Sequence, residues 1–228
     1  MLVQLLSHTP DPEQVVAAAA RLCYSPASIG DLMEKSRTDR EALLRKILSL
    51  GHLSVLEHAS FTFGIEGISR ACSHQLVRHR LASYAQQSQR YVAHREPFAA
   101  VTPPSISADP ALAARYQALL AEIHTVYQEL LDGGVPAEDA RFVLPNAAAT
   151  KLVVTMNARE LQHFFYLRCC RRAQWEIRDM AVRMLHLARK AAPLLFAEAG
   201  PGCLTGPCPE GAMSCGAAAE VRREFSDL

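Results

Sequence analysis

The chain has 228 residues, enough for one large domain with a substantial core or for two small ones. Half of the residues are hydrophobic and 21% are charged, which excludes intrinsic disorder as the general state. Lys and Arg number 24 against 23 Asp and Glu, so the formal net charge is only +1, which argues against polyanion binding by bulk charge; an anion site has to come from local segregation.

Leu2 to Thr9 reads as a short strand. MLVQLLSHTPDPEQ lacks the basic start and long apolar run of a secretory signal, and apolar stretches such as Val15 to Ala20 are too short to span a bilayer. The chain is expected to be soluble and cytoplasmic, with no membrane partner. Asp11-Pro12 starts a helix through Val15, Val16 and the alanines. Thr38-Asp-Arg-Glu41 has capping-box spacing, followed by Leu43, Leu44, Ile47 and Leu48 at helical period and by Gly51 as the stop.

Ala59, Phe61, Phe63 and Ile65 alternate as in a strand with one buried face, and Gly67 is expected to break it. Ser69 can cap a short helix from Arg70 to about Arg78. A loop follows, then an extended Arg90-Tyr91-Val92, then a connection marked by Pro97, Pro103 and Pro104. Asp109-Pro110 opens a long amphipathic helix that ends at Gly133-Gly134, and Pro136 to Phe142 is helical. Lys151 to Thr155 is strand-like. Asn157-Ala-Arg-Glu160 is a capping box opening a helix to roughly Arg171, and a last helix runs from about Ala173 to Ala199, bent at Pro193. The fold class is therefore α/β in the mixed α+β sense. A single helix-rich domain spans 1–200, and a Cys/Gly/Pro-containing tail without regular structure from Gly200 to Gly216 occupies 201–228.

Seven cysteines is an odd number in a chain too large to need a disulfide scaffold, so reduced thiols are expected at Cys23, Cys72, Cys169 and Cys170. Cys203, Cys208 and Cys215 lie in the tail without a histidine. A structural zinc takes four ligands, and only Cys169 or Cys170 would be left to complete the set. A mobile or locally docked tail is expected, with zinc binding or redox activity as the alternative. His52, Glu57 and His58 match neither H-E-x-x-H nor H-x-x-E-H, so no metal is expected there.

Charge is segregated in two windows. Gly67 to Arg95 holds no acid but contains Arg70, Arg78, Arg80, Arg90 and Arg95 with His74, His79 and His94. Leu161 to Trp175 holds no acid but contains Arg168, Arg171 and Arg172. Guanidinium forks match phosphate and stay charged. The competing reading is a solvated basic face or a set of ion pairs between elements. Ser83, Gln86, Gln87, Ser88 and Gln89 between the arginines add neutral hydrogen-bonding groups suited to a polar ring that carries a phosphate.

Arg78-His79-Arg80, seven residues and then Ser88 form an RHR-x7-S signature. Together with GHLSVLEH (51–58) and TMNARELQHFFYLRCCRRAQWEIR (155–178), the block GISRACSHQLVRHRLASYAQQSQRYV (67–92) resembles the flavin-dependent thymidylate synthases, in the right order and over roughly residues 1–200. The resemblance implies conversion of dUMP to dTMP, with 5,10-methylenetetrahydrofolate giving the one-carbon unit and FAD, reduced by NADPH, giving the hydride. It also implies a homotetramer with active sites where subunits meet, and no nucleic-acid partner. Similarity assigns Ser54, Arg78, His79, Arg80, Asn157, Arg159 and His163 to FAD, with Gln86 also touching the flavin. It assigns Gln75, Leu76, Val77, Arg78, Gln86, Gln87, Ser88, Gln89, Arg90 and Lys151 to dUMP, with Ser88 and Arg90 beside the phosphate. Arg168 matches the arginine that stabilises ionised N3 of the uracil. The family pattern after RHR often reads S-x-N, whereas Ser83-Tyr84-Ala85 lacks the asparagine.

Arg159 and His163 are four residues apart and share a helix face, while Arg168, nine beyond Arg159, lies about 180° round. One helix can serve two ligands. No cysteine is placed by the motif as a nucleophile, and no acid-base relay beside Ser88 activates it, so Ser88 is read as a binding group. The rival function is a non-catalytic nucleotide- or RNA-binding module. Tyr84 and Tyr91 are the only aromatics between Arg78 and Arg95, which is thin for stacking bases.

Overall fold

A computed structural model describes residues 1–93 and 96–226; His94 and Arg95 of the first arginine window lie outside the described residues. Strand β1 (Leu2–His8) leads into helices α1 (Pro12–Leu22), α2 (Ile29–Thr38) and α3 (Glu41–Ser49) and a 3-10 helix, Leu53–His58. Then come β2 (Ser60–Ser69), α4 (Arg70–Leu76), β3 (Ala82–Gln86), α5 (Pro104–Ser107), α6 (Pro110–Asp132) and α7 (Ala137–Ala140). The chain continues through β4 (Ala149–Asn157), α8 (Ala158–Arg168), α9 (Trp175–Ala191), α10 (Pro193–Phe196) and α11 (Ala218–Ser226). Helices predominate around a four-stranded antiparallel sheet of order β1-β2-β4-β3, as the mixed α+β reading requires.

Two compact units divide the chain. One comprises 1–2, 65–78 and 84–153, and the other 3–64, 79–83 and 154–228. In the second, Phe61, Phe164, Phe165 and Phe196 are fully buried, with edge-on ring contacts of 5.3 Å for Phe61–Phe196 and 5.9 Å for Phe165–Phe196. The buried Glu13 carboxylate accepts the Leu194 backbone N–H at 2.7 Å and pairs with Arg40 at 3.4 Å, so its charge is compensated. In the first unit, Ile65, Ile68, Leu76, Tyr127 and Ala148 are buried.

Several expectations need correction. Arg40, not Thr38, precedes α3, and no side chain caps that helix; Thr38 closes α2, a helix the hydrophobic period did not reveal. Gly67 does not end β2. At φ +72° it shifts the inward face from Phe61, Phe63 and Ile65 to Ile68, the effect of a bulge, and the strand continues to Ser69. Part of the supposed loop after Arg78 is β3, and Arg90 and Tyr91 sit in a turn closed by Val92 N–H on the Ser88 carbonyl at 3.0 Å. The final long helix is two, α9 and α10, separated at Ala192 before Pro193. The tail from Gly200 to Gly216 is turns with one short 3-10 helix, but α11 follows it and buries Val221 and Phe225.

Candidate active site

Helix α8 organises one group of the expected site residues. Its first turn is satisfied by Asn157, whose Oδ1 accepts the Glu160 N–H at 2.9 Å, and by the Ala59 carbonyl, which accepts Ala158 N–H at 2.8 Å. The Glu160 side chain points to His79 at Nδ1···Oε1 3.2 Å. Two turns on, Arg168 Nε–H reaches His79 Nε2 at 3.1 Å. Phe164 meets the imidazole edge-on at 4.9 Å, and the His163 ring is 6.0 Å away. Glu160, Phe164 and Arg168, spaced by four, thus close around one imidazole.

The tautomer follows from donor chemistry. Arginine only donates, so His79 Nε2 is bare; the ring proton is on Nδ1 and is donated to Glu160. The imidazole is therefore neutral. Burial, then the Arg168 guanidinium, then His163 lower its pKa from 6.5 to about 4. Burial raises the Glu160 carboxyl above its ordinary value, with His163 opposing. In the RHR run the histidine is buried, while both arginines are exposed and engage no side chain among the described residues. Ser54 is exposed on the 3-10 helix, and Arg159 pairs with Glu57 of that helix at 2.5 Å. That pair is about half-exposed and worth at most about 1 kcal/mol.

The other group belongs to the first unit. Ser69 Oγ caps α4 by accepting Cys72 N–H at 3.0 Å, and the Ala148 and Asn146 carbonyls accept Arg70 and Ala71 N–H at 3.0 Å each. At its C-terminal end Gln75 is half-buried, Leu76 buried, and Val77 and Arg78 exposed. Tyr84 donates its hydroxyl to the Leu76 carbonyl at 2.9 Å. Gln86 Nε2 donates to Ser73 Oγ and Thr150 Oγ1, both at 3.1 Å, and Gln87 N–H to the Lys151 carbonyl at 3.0 Å. Gln87 and Lys151 wall a cavity of about 520 Å³ with Thr150, Glu66 and Phe98. Ser88 Oγ accepts Arg90 N–H at 3.1 Å, a local turn contact, and Gln89 is half-buried. Arg90 is paired with Glu138 at 2.5 Å and lies 5.2 Å from the Tyr91 ring centroid. Ala85 is exposed.

The second arginine window divides. Arg168 holds His79, but Arg171 pairs with Glu220 at 2.7 Å and Glu224 at 3.5 Å, so ion pairing with α11 accounts for it. Arg178 joins Glu224 at 2.5 Å. Arg168, Arg172 and Tyr166 line a cavity of about 240 Å³ with Cys170, Cys203 and Cys208. Among the described residues no three metal-type ligands converge. All seven cysteines are free, and burial pushes the Cys169 thiol up to about 12.

Glu160 is the site residue the sequence reading missed. It had been used up as the last member of a capping box. The available signal was its position: it stands immediately before the acid-free stretch Leu161 to Trp175, one and two turns ahead of Phe164 and Arg168.

Unpaired guanidinium groups, an exposed ammonium at Lys151 and neutral amides give the chemistry of a protein that handles phosphorylated ring compounds. The dinucleotide FAD fits this donor set, because Arg78 and Arg80 are exposed and engage no side chain among the described residues, leaving them to meet its phosphates. A family profile described as thymidylate synthase complementing protein matches residues 4–194. Over its full length the chain is 64% identical to the flavin-dependent thymidylate synthase of Geobacter sulfurreducens and covers 99% of that protein. Identity is 47% to the protein of that name from Clostridium tetani, over 98% of this chain and 96% of the relative. It is also 47% to that from Pyrococcus furiosus, over 91% and 89%. The chain belongs to the flavin-dependent thymidylate synthase family. An enzyme of thymidylate synthesis replaces the rival reading of a non-catalytic module.

Proposed function

We propose that the protein methylates dUMP reductively to dTMP, taking the one-carbon unit from 5,10-methylenetetrahydrofolate and the hydride from FAD reduced by NADPH. The observation that carries this reading is Arg168: its Nε is held by a neutral histidine and no carboxylate pairs with it among the described residues. A guanidinium so placed can support negative charge on a uracil ring as it develops. Bound FAD supplies the hydride chemistry. Arg78, His79, Arg80, Ser54, Asn157, Arg159, His163 and Gln86 hold the flavin, the two exposed arginines meeting its phosphates. Gln75 to Arg78, Gln86 to Arg90 and Lys151 hold dUMP. Arg90 reaches the phosphate after releasing Glu138, an exposed pair whose opening costs about 1 kcal/mol or less. Ser88 binds and does not attack, since no base touches its hydroxyl among the described residues. The assembly is a homotetramer.

The test is anaerobic reduction of the flavoprotein by NADPH, followed by dUMP plus methylenetetrahydrofolate, with flavin reoxidation and dTMP as readouts. Arg168→Ala should keep its flavin and lose turnover by about 100-fold or more, the scale of losing a charge-stabilising donor. Unchanged turnover would remove Arg168 from the chemistry.

A further inference from the structure

We propose that Glu160 is a positioning residue for pyrimidine binding: by accepting the Nδ1–H of His79 it keeps Nε2 bare, and the bare nitrogen fixes Arg168. The inference rests on the reading of Arg168 as the dUMP-contacting arginine and adds the residue that orients it. The chain of contacts is Glu160 Oε1 to His79 Nδ1, 3.2 Å, and His79 Nε2 to Arg168 Nε, 3.1 Å. Both inner members are shielded, with His79 5% and Glu160 6% exposed, so bulk water is poorly placed to substitute for the carboxylate.

Two of the three forms of His79 are incompatible with the arginine. The Nε2–H tautomer and the imidazolium each set an N–H against the Arg168 N–H, donor against donor. Only the Nδ1–H tautomer accepts, and it needs an acceptor on its other side. Among the described residues Glu160, His163 and Arg168, all from α8, are charged or titratable neighbours of the ring, and of these three Glu160 alone is an obligate acceptor when ionised. Without Glu160 the imidazole can take its Nε2–H form and expel the guanidinium Nε. With it, Arg168 is anchored by Nε, and its terminal nitrogens, which donate to no group among the described residues, are left for a ligand. Glu160 need touch neither flavin nor nucleotide to do this.

The experiment is a double-mutant cycle on FAD-loaded protein, with dUMP dissociation constants measured by calorimetry. Flavin content is read from absorbance. Arg168→Ala and Glu160→Ala are each expected to weaken dUMP about tenfold or more while retaining FAD. Glu160→Ala on top of Arg168→Ala should add less than about twofold, because the orienting group has nothing left to orient. Glu160→Gln keeps a carbonyl acceptor and should stay within about threefold of wild type. Wild-type dUMP affinity in Glu160→Ala, or a loss that adds in full to that of Arg168→Ala, overturns the positioning role. Normal dUMP binding by Arg168→Ala instead overturns the assignment of Arg168 itself. Should Glu160→Ala fail to fold, Glu160→Gln carries the cycle: its small loss should vanish in the Arg168→Ala background, and an equal loss in both backgrounds refutes the proposal.

Discussion

His79 shows how one residue can be set by its neighbours against its ordinary behaviour. In the fold it stays neutral down to about pH 4, whereas the unfolded chain takes up a proton near 6.5. The stability it confers is therefore complete above pH 6.5 and declines as the pH falls towards 4, by up to about 3 kcal/mol. Glu160 acts with the opposite sign: its raised carboxyl favours the fold at low pH and loses that contribution as the pH rises through its folded value. His79→Gln offers an amide N–H to Glu160 and a carbonyl to Arg168 without titrating. Denaturation midpoints between pH 4 and 7 should fall less steeply in His79→Gln than in wild type; parallel curves would contradict the neutral assignment.

Among the elements, α11 has the clearest mechanical role. It seats Val221 and Phe225, and its Glu220 and Glu224 take Arg171 and Arg178. Arg189 of α9 donates to the carbonyls of Phe196, Ala197, Ala199 and Phe225, which ties the tail to the helix. Phe225→Ala should cost about 3 kcal/mol, read as a lowered denaturation midpoint, since it empties a buried aromatic site and frees the helix; an unchanged midpoint would mean that α11 is not docked in solution. This helix was not legible in the sequence, because a Gly/Pro-rich approach and a run of charges hide two apolar anchors four apart. Strands β1, β2 and β4 and helices α1, α4, α6 and α8 were legible, since their periods and caps are local. Strand β3 was not: Ala82 to Gln86 is short, polar and placed by sheet pairing. Among the site residues, the arginines and amides announced themselves by segregation and motif. The inward turn of Glu160 did not, because its backbone role in the helix start is local and its side-chain role depends on a residue 81 positions away.

At the scale of the whole molecule, α6 is the anomaly. Over 23 residues it buries only Leu120 and Tyr127 within the chain. Leu112, Leu119 and Val126, at seven-residue spacing, are 56%, 45% and 39% exposed and form an apolar seam along one face. The proposed homotetramer would cover this seam with another copy. Wild type should run at about 100 kDa by light scattering, four chains of 25.0 kDa, and Leu119→Glu should shift it to smaller species. A tetramer indifferent to that substitution would place the interface elsewhere. The near-zero net charge fits this picture in one respect: identical chains with balanced charge do not repel one another strongly.

The buried carboxylate of Glu13 has a consequence for synthesis. Its backbone partner, Leu194, is 181 residues further along. At the usual pace of translation, roughly 10 to 40 seconds separate the two on the ribosome. During that interval Arg40 is the nearest compensation available to an acid destined for the interior. Helix α1 packs chiefly against α2, α3 and the 3-10 helix Leu53–His58, which are made directly after it, so what waits for the last third of the protein is the backbone partner of the Glu13 carboxylate and not the cover of the apolar face.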